Sequence, residues 1–128
     1  MEEDRTIEQN KKLIQDYPFL LPRNVFTGET SDDYDYTWTL LDDIPKGWRI
    51  AFGIPFCEDL KQVLLQNNAL EDYHIFQIKE KYGQLRWYDN SPEEWDEHMY
   101  AWEYISEHTC VECGEFPVPM RYFSWISP

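Results

Sequence analysis

Apolar residues recur along this chain with two different periods. After Thr6, the positions Ile7, Leu13, Ile14 and Tyr17 fall at helical spacing, and Thr6 followed by Gln9 matches a capping box, so a helix is predicted over residues 7 to 16. Pro18 and Pro22 bracket Phe19-Leu20-Leu21, and a polar, Gly-containing stretch follows, which predicts an ordered loop over residues 18 to 33. The period then changes to two: Tyr34, Tyr36, Trp38 and Leu40 alternate with Asp35, Thr37 and Thr39, the pattern and composition of a strand. Beyond Pro45-Lys46-Gly47, the amphipathic segment from Trp48 to Phe52 reads as a short helical turn. Phe56, Cys57, Leu60, Val63 and Leu64 then form a helical stripe that Asn67-Asn68 can stop.

Residues 73 to 79 alternate again, with His74, Phe76 and Ile78 on one face and Tyr73, Ile75, Gln77 and Lys79 on the other. Gly83 can supply the positive backbone angle of a turn, and Leu85-Arg86-Trp87-Tyr88 returns as the partner strand of a hairpin. Ser91-Pro92-Glu93-Glu94 has the composition of a helix start with Ser as cap, leading to Trp95, Met99, Trp102 and Ile105 at spacings of four, three and three. The expected architecture is α+β in a single domain over residues 1–128. A small, mostly antiparallel sheet from about residues 34–40, 73–80 and 85–89 is packed by helices near 7–16, 56–67 and 92–107, with a zinc-knuckle-like turn towards the C-terminus.

Composition adds a charge problem to this plan. The chain has 128 residues, 25 Asp and Glu against 11 Lys and Arg, and a formal net charge of -14. Six Trp, nine Tyr and seven Phe argue for a packed core despite that charge. The acids are pooled. No Lys or Arg lies between Arg23 and Lys46, where Glu29, Asp32, Asp33, Asp35, Asp42 and Asp43 occur. None lies between Arg86 and Arg121, where Asp89, Glu93, Glu94, Asp96, Glu97, Glu103, Glu107, Glu112 and Glu115 occur. Such pooling predicts anionic faces that repel nucleic acid and attract basic surfaces, so a basic protein is the expected partner and Asp32, Asp33, Asp35, Asp42, Asp43, Glu93, Glu94, Asp96 and Glu97 are the candidate contacts. No apolar run reaches bilayer length and no signal-peptide pattern is present; with an odd number of Cys, the expected setting is a reducing cytoplasm without membrane attachment.

Two clusters carry candidate chemistry. Cys110-Val111-Glu112-Cys113-Gly114 places two thiols where they can take adjacent vertices of a tetrahedral zinc site on a tight turn, with Gly as such turns often require. Two partly buried free cysteines are the bland alternative, and further ligands could come from His108, His98 or Cys57, the last more readily a core residue. The hairpin gathers Lys79, Lys81 and Arg86. These cations either neutralise the protein's own carboxylates or form a recognition edge for an acidic or phosphate group. Gln77-Ile78-Lys79 is similar, over three residues, to the strand that carries metal-ligand and lysine positions in some nucleases. No catalytic constellation assembles from spacing: Glu93, Glu94, Asp96 and Glu97 read as a helix N-terminus using its dipole, and Trp95, Met99 and Trp102 as core. The chain reads as a binding protein rather than an enzyme.

Four segments together resemble a group of small uncharacterised proteins from phages and prophages of Gram-positive bacteria: Tyr17-Pro18-Phe19-Leu20-Leu21-Pro22-Arg23-Asn24, Gly47-Trp48-Arg49, the hairpin Lys79-Glu80-Lys81-Tyr82-Gly83-Gln84-Leu85-Arg86-Trp87-Tyr88, and Cys110-x-x-Cys113-Gly114. In those proteins the counterpart of Ser124-Trp125-Ile126-Ser127-Pro128 is followed by a second Cys-x-x-Cys, which makes the knuckle a four-cysteine zinc site; this sequence has only the first pair. The resemblance implies a phage context in a bacterial host cell. It points to an acidic inhibitor or adaptor acting on a host protein, of anti-defence type, with nucleic-acid mimicry as a narrower form. A zinc-knuckle nucleic-acid-binding protein and a metal-dependent hydrolase are the alternatives.

Overall fold

A computed structural model describes residues 5–23, 27, 29–30 and 32–115. Among the described residues, three helices of ten or more residues accompany one antiparallel hairpin, so the α+β class with a small sheet is observed.

Helix α1 spans Ile7–Asp16, as the sequence predicts, and its capping box is formed in both directions. The Gln9 amide donates to Thr6 Oγ1 at 3.1 Å, and the Thr6 amide donates to Gln9 Oε1 at 2.8 Å. A 3₁₀ turn over Pro18–Leu20 then buries Phe19 and Leu20. The predicted loop over residues 18 to 33 lies partly outside the described residues.

Residues 34 to 40 are not a strand. Asp35 Oδ1 accepts hydrogen bonds from the amide and hydroxyl of Thr37, and Tyr36 takes a positive φ of 64°, so the backbone folds over instead of extending. The Tyr34 hydroxyl donates to the Trp38 carbonyl, and the Tyr34 and Tyr36 rings meet at 4.7 Å. The alternating aromatics therefore mark a ring cluster, not a pleat. The buried Asn10 side chain caps the loop by donating to the Tyr36 carbonyl at 2.8 Å.

A short 3₁₀ segment, Leu40–Asp43, leads to the helical turn α2, Lys46–Trp48, then through π-type winding at Arg49–Gly53 into α3, Ile54–Gln66. The helix predicted to begin at Phe56 thus starts earlier, at Ile54, with Pro55 as its second residue. Phe56, Cys57, Leu60, Val63 and Leu64 are all buried, as their stripe requires.

The hairpin pairs β1, Ile75–Lys81, with β2, Gln84–Asp89. Tyr82 and Gly83 both take positive φ, at 56° and 80°, the backbone of a two-residue turn whose twist matches the strands. The pairing slips between Ile75 and Gln77, so Phe76 is an extra residue on β1. This bulge breaks the predicted two-face pattern: Tyr73 and Ile78 are buried while Phe76 is exposed.

A 3₁₀ turn, Glu93–Trp95, opens α4, Asp96–Glu107. Ser91 does not cap it; its hydroxyl donates back to Asp89 Oδ1 at 2.8 Å, and the helix start has no side-chain cap. Trp95 is buried, with Met99, Trp102 and Ile105 half-buried on the same stripe, which joins a core around Trp48, Phe56, Leu60 and Leu85. Among the described residues no helix is long and apolar enough to cross a membrane.

Candidate functional site

In the first acidic stretch one carboxylate, that of Asp42, is engaged within the fold. Asp42 sits at the end of the Leu40–Asp43 segment, where its Oδ2 accepts the Thr39 amide at 2.8 Å while Thr39 Oγ1 accepts the Leu41 amide at 3.2 Å. Its Oδ1 then receives Arg5 Nη2 at 2.9 Å and lies 3.8 Å from Arg49 Nε, with both guanidiniums mostly buried. Arg49 continues to the Ile44 carbonyl at 2.8 Å. Asp42 is therefore an internal cap and ion-pair partner, not a contact left open for another protein. Asp35 is held by Thr37, and those hydrogen bonds keep its carboxyl below the usual value. Desolvation and then the charge of Asp42 push the Asp43 carboxyl up. Asp32 and Asp33 are exposed.

The second stretch is arranged differently. On α4 the side facing the core carries Met99, Trp102 and Ser106; the opposite side carries Asp96, Glu97, Tyr100, Tyr104 and Glu107, all exposed and recurring at three- and four-residue spacing. Glu93 and Glu94 extend this stripe at the N-terminal end, where the positive pole of the helix favours them. Tyr100 is 70 % exposed and Tyr104 39 %. None of the ion pairs among the described residues uses an acid of this stripe.

Other residues hold the helix so that this face points outward. Asp59 on α3 accepts Trp102 Nε1 at 2.8 Å and lies 3.0 Å from His98 Nδ1, and Ser106 Oγ accepts the Leu85 amide at 3.0 Å. These latches are absent from the sequence-level prediction. The outward Tyr100 and Tyr104 were legible as residues opposite the Trp95/Met99/Trp102 stripe.

The basic hairpin is only partly neutralised. Lys79 and Arg86 lie directly opposite each other, an unfavourable like-charge pair on the sheet surface. Glu103 is half-buried; desolvation raises its carboxyl pKa, and the nearby Arg86 charge works against that rise. Lys79 and Lys81 form no ion pair with the described residues; Lys81 lies 5.8 Å from the Tyr82 ring at the hairpin tip. The structure thus brings Lys79, Lys81 and Arg86 together on one hairpin, with Glu103 close enough to feel the Arg86 charge.

Cys110 and Cys113 occupy a tight turn. The Cys113 amide donates to Cys110 Sγ at 3.4 Å, the Gly114 amide donates to the Cys110 carbonyl at 3.0 Å, and Gly114 takes a φ of 80°. Hydrogen bonds from the Cys113 and Glu112 amides lower the Cys110 thiol pKa. The turn is seated on α2. The Gly47 amide donates to the Val111 carbonyl at 2.7 Å, and Trp48 Nε1 donates to the Thr109 carbonyl at 3.0 Å. A Cβ on Gly47 would lie 2.2 Å from the Cys110 oxygen, so only glycine permits this contact. Cys57 is 0 % exposed in the core, where burial drives its thiol pKa well up. Among the described residues no three His, Cys, Asp or Glu side chains converge as a metal site.

No protein-family model, curated protein or solved structure matches this chain.

Proposed function

We propose that this protein is a binding protein whose α4 face docks a basic partner protein, acting as an inhibitor or adaptor. The observation that carries this reading is the outward stripe of Asp96, Glu97 and Glu107, which join no ion pair among the described residues, interleaved with the exposed Tyr100 and Tyr104. Carboxylates bring a cationic partner in quickly over long range; tyrosines supply contact area at low entropic cost, and together they give speed and selectivity. The resemblance of four sequence segments to small phage proteins supports a host protein as the target, in an anti-defence setting. Carboxylates spaced along a helix can occupy a channel built for phosphates, which is how nucleic-acid mimicry would operate.

The test is affinity capture from bacterial host lysate with two baits, the wild type and a variant carrying Glu94→Gln, Asp96→Asn, Glu97→Gln and Tyr100→Ala. A basic protein retained by the wild type, lost with the variant and eluted by moderate salt supports the reading. Equal retention by both baits overturns it, as does a gel shift in which the wild type holds nucleic acid at physiological ionic strength.

A further inference from the structure

The outer face of the hairpin collects the positive charge that α4 lacks. Side chains of successive cross-strand pairs point to opposite sides of a sheet, and Ile78, Trp87 and Leu85 are buried, so the pairs that alternate with theirs face away from the core. Those pairs are Gln77 with Tyr88, Lys79 with Arg86, and Lys81 with Gln84. Three cations therefore share one outward surface with Tyr88, which is 43 % exposed. None of the three enters an ion pair among the described residues, and Arg86 Nε is buried without a hydrogen-bond acceptor there.

This surface borders the acidic helix. Gln84 Nε2 donates to Glu107 Oε2 at 2.7 Å, the Leu85 amide donates to Ser106 Oγ at 3.0 Å, and the Arg86 charge acts on Glu103. Strand β2 and α4 thus run side by side in opposite directions, with the hairpin tip beside the last turn of the helix. Tyr100, Glu103, Tyr104 and Glu107 recur at spacings of three and four, so their stripe lies along the outer face of the hairpin. A cationic strip and an anionic strip lie next to each other. A uniformly basic surface laid on α4 would be driven against Lys79, Lys81 and Arg86, and like charges brought together across an interface cost enough to reject a partner. A surface that carries both signs in the matching order meets neither penalty.

We propose that the outer face of the hairpin receives a cluster of carboxylates on the partner protein, beside the basic surface that docks on α4. The identity of the partner rests on the α4 reading; the carboxylate site itself stands on the hairpin. Arg86 offers a planar fork for a carboxylate, Lys79 directly across from it supplies a second donor, and Tyr88 adds contact area. A bound anion also offsets the like-charge repulsion between Lys79 and Arg86 that the free protein carries.

Two probes test the two strips separately: hexaglutamate and hexalysine, each titrated into the isotope-labelled full chain at moderate salt while backbone amide shifts are followed. Hexaglutamate should move the amides of residues 79 to 88 and hexalysine those of α4. Lys79→Glu with Lys81→Glu should abolish the first response and spare the second, and Lys81→Gln, at an exposed position, should keep the fold and reduce the first. If hexaglutamate leaves the hairpin unmoved, or moves it equally in the double variant, the carboxylate site is overturned and the lysines only guard a strand edge, with the α4 reading untouched. If hexalysine leaves α4 unmoved, the docking reading falls and the two-signed partner with it. A second measurement turns on sign. The double variant makes the chain more negative, so attraction by net charge alone should tighten its grip on the basic protein captured from host lysate, whereas the proposal expects binding about tenfold weaker. Equal or tighter binding overturns the proposal, as does nucleic acid held at the hairpin at physiological ionic strength.

Discussion

The two basic-free acidic stretches look alike in sequence, yet the fold treats them in opposite ways. In the 3₁₀ segment Leu40–Asp43, the Asp42 carboxylate turns inward while the other acids of its stretch stay exposed. Asp42 caps a backbone turn and takes a guanidinium from Arg5, far away in sequence, with Arg49 nearby. On α4 the carboxylates turn outward, because the helix dedicates one side to Met99, Trp102 and Ser106 and leaves Asp96, Glu97 and Glu107 on the other. A run of acids thus becomes an anionic face only where the backbone is regular enough to sort side chains by side and no distant cation reaches back. The same contrast bears on affinity: an acid that already has a partner gains little from a second one, whereas a solvated acid adds to long-range attraction.

The largest expected effect lies on α4. Removing three charges with Glu94→Gln, Asp96→Asn and Glu97→Gln should slow association with the captured basic partner by about tenfold at low salt and reduce the salt dependence, while the dissociation rate changes less. Stopped-flow association at two ionic strengths checks this. The same neutralisation applied to Asp32, Asp33 and Asp35 should change the rate less, and an equal loss would erase the distinction between the two regions.

Stability should show the reverse ranking. Asp42→Ala leaves Arg5 and Arg49 without their shared carboxylate and the Thr39 amide without its acceptor, a cost of about 2–3 kcal/mol. Glu97→Ala removes only a solvated side chain and should stay within about 0.5 kcal/mol. Urea denaturation of the two variants measures the difference directly. Gly47→Ala belongs on the costly side too: the added methyl must displace the Cys110 backbone, so the variant should loosen the turn and speed thiol modification at Cys110 and Cys113.

How much of this was legible follows from the range of the interactions. Helix α1 and the hairpin could be read because their signals are local: Thr6 and Gln9 bond each other, and Tyr82-Gly83 sets its own turn. The segment from Tyr34 to Leu40 misled because alternation is shared by a pleated strand and by rings stacking on a folded loop, and the choice is made by Asp35 gripping Thr37 and by Asn10, on another element, bonding Tyr36. Phe76 reads as a face-mate of Ile78 for a similar reason, since a bulge shifts the face without altering composition. At the sites, the Cys110/Cys113 turn and the acids of residues 93–97 were visible as residues. What they do depends on Gly47, Arg5, Arg49 and Asp59, whose roles exist only once the chain has folded.

The finest test of the contrast is Asp43, an acid of the first stretch that its surroundings disfavour as an anion. Desolvation, and after it the charge of Asp42, raise its folded-state pKa above the ordinary 3.8. The folded protein therefore holds this proton more tightly than the unfolded chain does. Above the raised pKa the folded state must carry an awkward charge, which lowers stability; as pH falls through the raised value towards 3.8 the penalty disappears. Asp43→Asn should accordingly stabilise the protein at neutral pH by less than about 1 kcal/mol, and the gain should vanish in acid. Chemical denaturation at neutral and acidic pH resolves it. A gain that persists unchanged in acid would show that it does not come from the Asp43 charge and would remove this acid from the contrast.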